Sequence, residues 1–367
     1  MINPVWSWDI LRSGIIDPRV SMSRTTVSNM FGPHGLLVSV PANTARIPCD
    51  QITGERRGLS NEASQQNMFT WCRDMTQADW VKSGISAAPI GQGIDGAANS
   101  CSVLTANTAG GTIKQVKVLA SGSVSVFLRR WVSAGVISIS SDNGASWTDV
   151  DPPTSRFQRY SLNQGCSAFL IRMGTAGDMI VADYAQLEAS PFPTSPIYTG
   201  ASPVTRDADN ATFTLPPELN FFEGSVLVSG TIDSMDSLEM YLADIRTGGS
   251  IQRMLLSYRS GTQFRTLAQQ ISPIVQSIGT LTESVVLPTR FALCATWSGF
   301  TNTITHCLNG GVVRSASVLP RFYTNTKQIG IGGNIGAGNR PLSGGYVERI
   351  VLWDHALADS NIQDITR

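Results

Sequence analysis

The chain of 367 residues carries 27 basic and 27 acidic residues, so its formal net charge is zero. With no basic excess and no apolar run near the roughly 20 residues of a membrane span, the composition argues against nucleic-acid binding and membrane insertion. The low charged fraction of 15%, with 34 Gly and 18 Pro, favours many short strands joined by tight turns. The length predicts two domains of about 150 residues and a short extra segment.

Residues 1–64 form the first predicted segment, which is too small to build a core alone. It contains Trp6, Trp8 and the strand Gly-Leu-Leu-Val-Ser-Val at 35–40. Two arrangements are open: the segment packs on the following domain, or it is an arm that attaches the protein to a larger assembly. It lacks the basic region and apolar run of a secretory signal, which predicts synthesis in a cytoplasm.

Residues 65–200 form the second predicted segment, in which apolar and polar residues alternate with period two. The alternation predicts strands at 123–128 and 135–140. Asn143 and Gly144 supply the positive φ angles of a hairpin turn, and they separate the second of these strands from Trp147. This pattern is typical of an antiparallel β-sandwich.

Prolines between 190 and 217 mark the boundary between the two large domains. A sheet interior does not accept so many residues without a backbone N–H. We therefore predict a linker over residues 201–218 and the start of the last domain at 219.

The last domain, residues 219–367, repeats the alternating pattern at 225–230 and 346–353. Asn-Gly-Gly at 309–311 follows a strand at 303–308 and predicts a hairpin. One short helix is predicted over 357–365, with Asp359 or Ser360 as its N-cap.

The predicted class is therefore all-β: two tandem antiparallel β-sandwich (jelly-roll) domains with a short N-terminal arm. Six cysteines lie at 49, 72, 101, 166, 294 and 307 without a Cys-x-x-Cys motif. In a protein made in a cytoplasm this spacing favours buried thiols over disulfides. Cys294 and Cys307 are predicted to face one another across a hairpin.

The middle domain carries an ordered series of short motifs. They are Gly-Leu-Ser-Asn-Glu-Ala at 58–63, Asn-Met-Phe at 67–69, Asp-Trp at 79–80, Gly-Ile-Asp-Gly at 93–96 and Asp-Tyr-Ala-Gln-Leu-Glu-Ala at 183–189. The series continues through Phe-Pro-Thr-Ser-Pro-Ile at 192–197 and Val-Thr-Arg-Asp-Ala-Asp at 204–209. This order resembles tail and head-fibre proteins of tailed bacteriophages, and it implies a jelly roll like those of carbohydrate-binding modules.

The C-terminal domain ends on Gly-Tyr-Val-Glu-Arg-Ile-Val-Leu-Trp at 345–353 and Ala-Leu-Ala-Asp at 356–359. Together with Phe-Ala-Leu-Cys-Ala-Thr-Trp at 291–297, this ending resembles the concanavalin A-like or laminin-G-like lectin sandwich. The resemblance covers about 145 residues and implies two packed antiparallel sheets.

The two resemblances imply a structural component of a bacteriophage particle, a tail fibre or capsid decoration protein. Its partners would be other virion proteins, in the head or the tail, and its location the virion. Fibre proteins are commonly homo-oligomers, trimers among them, which we expect by analogy alone. The alternative is a receptor-binding tail protein that recognises a host-surface polysaccharide.

No catalytic site is predicted, and the expectation is that the protein is not an enzyme. Glu239 and Asp244 come nearest to the paired carboxylates of concanavalin-like glucanases, but their spacing of five predicts opposite faces of a strand. The histidines at 34, 306 and 355 lie in no nucleophile–base context. Cys294 with the adjacent pair His306 and Cys307 is the nearest approach to a metal cluster, and strand alternation argues against it.

No cofactor is predicted. Calcium is common among lectin sandwiches, but the loop residues that come closest match no calcium-ligand spacing: Asp233, Asp236, Asn334 and Asn339. Sugars stack on exposed aromatic rings while amides and carboxylates bond their hydroxyls. The candidate carbohydrate-binding residues are accordingly Trp131, Trp147, Trp297 and Tyr323. Core packing is the competing interpretation, favoured for Trp297 and evenly weighted for Trp147, whose neighbours suggest a loop rim.

Overall fold

The protein is all-β, as predicted. The computed structural model describes residues 3–132, 134–215, 222–235, 239–247, 252–259, 262–271, 276–318, 326–333 and 340–367. No helix within these ranges is long and apolar enough to cross a membrane.

The elements follow in chain order. The strands of the first half are β1 (Trp6–Asp9), β2 (Val20–Ser23), β3 (Ser28–Phe31), β4 (Leu37–Val40), β5 (Gln65–Asn67), β6 (Val81–Ser83), β7 (Ile85–Gly91), β8 (Cys101–Ala106), β9 (Gly111–Gln115), β10 (Ser123–Val132), β11 (Ile137–Ser140), β12 (Thr148–Val150), β13 (Gln158–Leu162), β14 (Phe169–Met173) and β15 (Met179–Glu188). Those of the second half are β16 (Val204–Arg206), β17 (Asn210–Thr214), β18 (Glu223–Ile232), β19 (Glu239–Thr247), β20 (Gln252–Arg259), β21 (Gln263–Ile271), β22 (Gln276–Ser284), β23 (Thr289–Ser298), β24 (Thr303–Leu308), β25 (Arg314–Ser317), β26 (Thr326–Ile331) and β27 (Gly345–Trp353). The helices are α1 (Ile10–Ser13) and α2 (Asp359–Ile365).

The chain divides into two compact units whose boundaries differ from the predicted domains. Unit 1 comprises Met1–Thr26, Val40–Ala63 and Ala208–Arg367, and unit 2 comprises Val27–Ser39 and Ser64–Asp207. The predicted division at 201–218 therefore falls near the observed one at 207 and 208. The predicted linker is not unstructured, because it contains β16 and β17; Pro216, Pro217 and residue 219 lie outside the described residues.

Unit 1 is a sandwich of a six-stranded sheet, in the order β1-β27-β18-β23-β24-β25, and a seven-stranded sheet, in the order β2-β17-β26-β19-β20-β21-β22. Alternate residues of both sheets meet in one buried cluster, for example Val228 and Leu293 with Leu256 and Ile329. The other face of the six-stranded sheet is covered in part by α2, whose Ile362 is buried with Trp353.

The N-terminal segment is not a separate arm, and residues 1–26 and 40–63 do not belong to the middle domain. Strand β1 pairs with β27, which places Trp6 opposite Leu352 and Trp8 opposite Ile350, and β2 pairs with β17. Both tryptophans lie in the core of unit 1. A segment too short to bury its own apolar residues thus adds an edge strand to each sheet of the sandwich and buries its two tryptophans in the shared core.

A buried ion network links three stretches of unit 1. Asp209 accepts hydrogen bonds from Arg24 Nη1 at 2.6 Å and from Arg46 Nη2, and its carboxylate is fully buried. Glu62 also pairs with Arg46, at 2.9 Å, and its backbone N–H donates to Asp209 at 3.0 Å. The network joins chain segments far apart in sequence, which pattern reasoning had no means to find.

Unit 2 is a sandwich of two five-stranded sheets, β13-β10-β15-β8-β7 and β12-β11-β14-β9-β6. Ile139 and Ile171 of one sheet share a buried cluster with Leu128 and Ala182 of the other. The segment Asp-Tyr-Ala-Gln-Leu-Glu lies in β15. Its Ala185 and Leu187 face this core, whereas Tyr184 faces away.

The predicted turns and thiols are confirmed. Asn143 and Asn309 begin their turns at φ angles of 60° and 50°, and the glycine after each also has positive φ. All six cysteines are free and buried, and Cys294 lies opposite Cys307 in the pairing of β23 with β24. The predicted C-terminal helix is present as α2. Its N-cap is Ala358, which makes no side-chain bond, so the prediction of Asp359 or Ser360 is wrong.

Candidate functional site

Three of the four aromatic residues predicted to bind carbohydrate lie in the described part of the chain. Trp297 is 2% exposed and lies in the core of unit 1, packed over Gly224, so it cannot stack on a ligand. Tyr323 lies outside the described residues. Trp131, at the end of β10, is 46% exposed, and Trp147 is half-buried just before β12. These last two belong to different sheets of unit 2, β10 and β12 respectively, so they do not lie on one sheet face.

The two sheets of unit 2 differ in what covers their outer faces. The outer face of the β10 sheet is buried under a second apolar cluster, in which Phe127 and Val181 meet Leu37 and Ile94. The outer face of the β11 sheet carries polar side chains instead. Arg172 lies between Ser138 and Thr112 in the strand register, and Asp149 lies on the far side of Ser138. A solvated ligand can therefore reach this second face.

The loop before Trp147 is held by its own side chains. Asp142 accepts hydrogen bonds from the Ser146 hydroxyl, from the Ser146 backbone N–H at 2.9 Å and from the Ser140 hydroxyl at 2.7 Å. The bonds from Ser146, helped by Ser140, hold the pKa of Asp142 down at about 2. The loop thus presents Trp147 from a fixed turn.

Trp147 and three residues of the sheet form one constellation, here called the Trp147 platform: Trp147, Arg172, Ser138 and Asp149. The Arg172 guanidinium lies over the indole, 4.1 Å from the ring centroid. It donates to the Ser138 hydroxyl at 3.2 Å, and that hydroxyl donates to Asp149 at 2.7 Å. The platform combines a ring, a cationic donor and an exposed carboxylate within one hydrogen-bonded group.

Sequence reasoning named only part of this platform. Trp147 was a candidate because its neighbours suggest a loop rim, but Arg172 and Ser138 were not candidates. Arg172 is 25 residues away from Trp147 by their numbers, and only the pairing of β11 with β14 brings it to the indole. In β14 the apolar residues Phe169, Ile171 and Met173 alternate into the core, which leaves Arg172 facing away from it.

The two carboxylates considered for glycosidase chemistry are on the same strand face, contrary to prediction. A β-bulge between Tyr241 and Ala243 shifts the alternation by one residue, so Glu239 and Asp244 both face away from the core. Each is engaged by arginine: Glu239 by Arg265, and Asp244 by Arg253 at 3.2 Å. The prediction that Glu239 and Asp244 lie on opposite faces of a strand, which argued against catalysis there, was therefore wrong.

Two buried carboxylates of unit 2 hold loops in place. Asp183 accepts from Arg73 Nε at 2.7 Å and from the Ile94 N–H at 2.9 Å, and burial raises its pKa. Glu188 accepts from the Thr194 hydroxyl at 2.7 Å, and burial likewise raises its pKa. Neither side chain is exposed to solvent, so both are structural.

Metal-binding residues do not gather in the part of the chain that is described. His306 faces the core opposite Ala295, whereas Cys307 faces the other way with Cys294, as the strand alternation predicts. Among the described residues no group of three His, Cys, Asp or Glu side chains could hold an ion. Of the residues considered for calcium, Asp236, Asn334 and Asn339 lie outside this range, and Asp233 pairs with an arginine at 3.6 Å.

Comparisons with known proteins add solved structures of low similarity. No protein-family model matches the sequence, and no curated protein matches it. The carbohydrate-binding module (CBM40) of a Ruminococcus gnavus sialidase, bound to α2,3-sialyllactose, is 14% identical with a TM-score of 0.34, covering 39% of this chain and 82% of the module. The leech intramolecular trans-sialidase is 13% identical with a TM-score of 0.36, covering 42% of this chain and 26% of the enzyme. The binding domain of botulinum neurotoxin DC is 13% identical with a TM-score of 0.34, covering 43% and 40%.

Proposed function

We propose that the protein is a non-catalytic adhesion protein that binds a glycan at the Trp147 platform. The observation that carries the proposal is the indole of Trp147, which lies with a guanidinium and a carboxylate on a solvent-facing sheet surface.

The three groups match the chemistry of a sugar. An indole provides an apolar surface for the C–H face of a pyranose. Arg172 covers one face of Trp147, so the sugar would use the rest of the ring. Arg172 supplies donors and Asp149 an acceptor, which together satisfy hydroxyls that both donate and accept. Because Arg172 is already stacked on the ring and bonded to Ser138, little side-chain freedom remains to be lost on binding.

The test is the binding of the full chain to an array of immobilised glycans, with two tryptophan variants. Trp147→Ala should weaken the strongest response by roughly thirtyfold, or about 2 kcal/mol, as expected for an aromatic anchor. Trp131→Ala is the matched control, since Trp131 is exposed on the other sheet, and it should bind like the wild type. Equal binding by wild type and Trp147→Ala would overturn the proposal, provided that both variants keep the circular dichroism of the wild type.

The non-catalytic part of the proposal has its own test. The best-bound glycan is incubated with the protein and its length is followed by chromatography. Unchanged length is expected, and the release of shorter oligosaccharides would make the protein an enzyme.

We also propose that the protein is a structural component of a tailed-phage particle, exposed as a fibre or decoration and assembled as a homo-oligomer. This proposal rests on the ordered motifs of residues 58–209 and on the C-terminal ending at 345–359. Mass spectrometry of purified particles should find many copies. If it does, adsorption of particles blocked by the isolated protein would favour the receptor-binding alternative, and absence from the particles would overturn both versions.

A further inference from the structure

A polar cleft with a volume of about 590 Å³ lies in unit 1. This volume is in the range of small-molecule sites. Four carboxylates and three guanidinium groups line it, with two threonine hydroxyls among them. Most ligand pockets are mainly apolar, so this lining indicates a ligand that is itself rich in polar groups.

One wall of the cleft is a turn of the N-terminal segment. The isolated bridge between Cys49 and Arg56 closes the turn, and Asp50 accepts from the backbone N–H groups of Thr53 at 3.0 Å and Ile52 at 2.8 Å. These bonds keep the pKa of Asp50 below its ordinary value, so its carboxylate is charged near neutral pH. The wall is therefore a defined turn that holds the Asp50 carboxylate in place.

The floor is the outer face of the six-stranded sheet. Thr231 pairs with Arg290 and with Tyr346 across neighbouring strands, and their neighbours Ile232 and Phe291 point into the core. Strand alternation then directs Thr231 and Arg290 to the outer face. The pairing of these strands thus fixes how far apart Thr231 and Arg290 lie on the floor of the cleft.

Arg57 lies beside two carboxylates of the cleft lining. Its guanidinium lies over the ring of Tyr346, 5.4 Å from the centroid, and reaches Asp233 at 3.6 Å and Asp50 at 3.8 Å. Both ion pairs are longer than a hydrogen bond, so an oxygen that donates to a carboxylate and accepts from the guanidinium can bridge them. Arg290 and Glu348, by contrast, bond directly at 2.6 Å.

We infer that this cleft is a second carbohydrate site, which takes a neutral, hydroxyl-rich sugar unit. A hydroxyl both donates and accepts, and vicinal hydroxyls can bridge Arg57 to the carboxylates of Asp50 and Asp233. An anionic ligand would meet four carboxylates against three guanidinium groups, and a metal ion beside Asp50 and Asp233 would meet the charge of Arg57. The site extends glycan binding to unit 1 and does not depend on the Trp147 platform.

The experiment uses the full chain carrying Trp147→Ala, so that the platform cannot account for binding. The probes are immobilised neutral oligosaccharides of glucose, galactose, mannose and their N-acetyl amino sugars, with uronic-acid oligosaccharides on the same surface. At least one neutral probe should bind. Adding Asp233→Asn or Arg57→Lys should weaken that binding about ten- to a hundredfold, the effect of losing a hydrogen bond to a charged group.

The matched control is Asp354→Asn, which removes an exposed carboxylate of the same unit outside the cleft and should change nothing. Asp233 is 47% exposed in its side chain, so Asp233→Asn is expected to fold even if Arg57→Lys does not. The inference is overturned if the Trp147→Ala protein binds no neutral probe, if it binds only uronic acids, or if cleft and control variants behave alike. A different result would show that the Trp147 platform binds no glycan: Trp147→Ala would then bind the array as strongly as the wild type.

Discussion

His306 makes the stability of unit 1 sensitive to acid. Its side chain is fully buried in β24, where Nδ1 lies 3.0 Å from the Thr266 hydroxyl. Among the described residues Nε2 finds no hydrogen-bond partner. Burial lowers the pKa of His306 from 6.5 to about 4, because the charged imidazolium would lose its hydration.

The pKa shift sets the pH window and the magnitude. Between pH 6.5 and 4 the unfolded chain binds a proton at this histidine that the folded chain does not, so stability is complete above pH 6.5 and falls as the pH decreases. Linkage gives a loss of about 2 kcal/mol at pH 5 and about 3 kcal/mol near pH 4. That is a large part of the stability of a typical domain.

The measurement compares wild type with His306→Leu by denaturant titration at pH 7, 6 and 5, with hydrogen exchange of the β24 amides reporting unit 1 specifically. Carboxylates also titrate near the acid end, so the difference between the two proteins isolates the histidine. At pH 7 the gain from removing the unpartnered Nε2 opposes the loss of the bond to the buried Thr266 hydroxyl. Between pH 7 and pH 5, His306→Leu should lose about 2 kcal/mol less than the wild type. Parallel pH profiles for the two proteins would refute the reasoning.

Three further predictions concern packing. Asp209→Asn should destabilise unit 1 by about 3–5 kcal/mol in chemical denaturation, because the buried Arg24 would lose the carboxylate that it pairs with and Arg46 would lose one of its two; a loss below about 1 kcal/mol would contradict the buried network. Gly224→Ala should lower stability by about 1–3 kcal/mol, since the added methyl meets the indole of Trp297; an unchanged melting temperature would show that the ring can move aside. The six cysteines should react with a thiol reagent only as the protein unfolds, and fast modification of the native protein would contradict their burial.

Local patterns predicted strands and turns well because they depend on neighbours in sequence. The alternation at 123–128 and at 346–353 was found as β10 and β27, and the Asn-Gly turns were found with positive φ. The same reasoning failed at Glu239 and Asp244, because a bulge adds one residue to the alternation and leaves no mark in composition.

The candidate sites depended much more on the fold. The ranking of aromatic residues was correct for Trp297 as core, but the residues that complete the Trp147 platform come from another strand. The cleft of unit 1 combines a turn at 50–57 with the ends of β18 and β23. Well over 150 positions of the chain separate this turn from either strand end. No local pattern predicts that these meet.

The sequence by itself determined that the protein is all-β, with turns at Asn-Gly pairs and thiols in the interior, because hydrophobic period and backbone preference act over a few residues. Only the tertiary structure decided where residues 1–64 belong. Strand β1 joins the edge of β27 and β2 that of β17, while β3 and β4 lie in unit 2. The backbone groups at a sheet edge can pair with any strand that reaches them. Which strand does so depends on packing across the whole chain rather than on position along it.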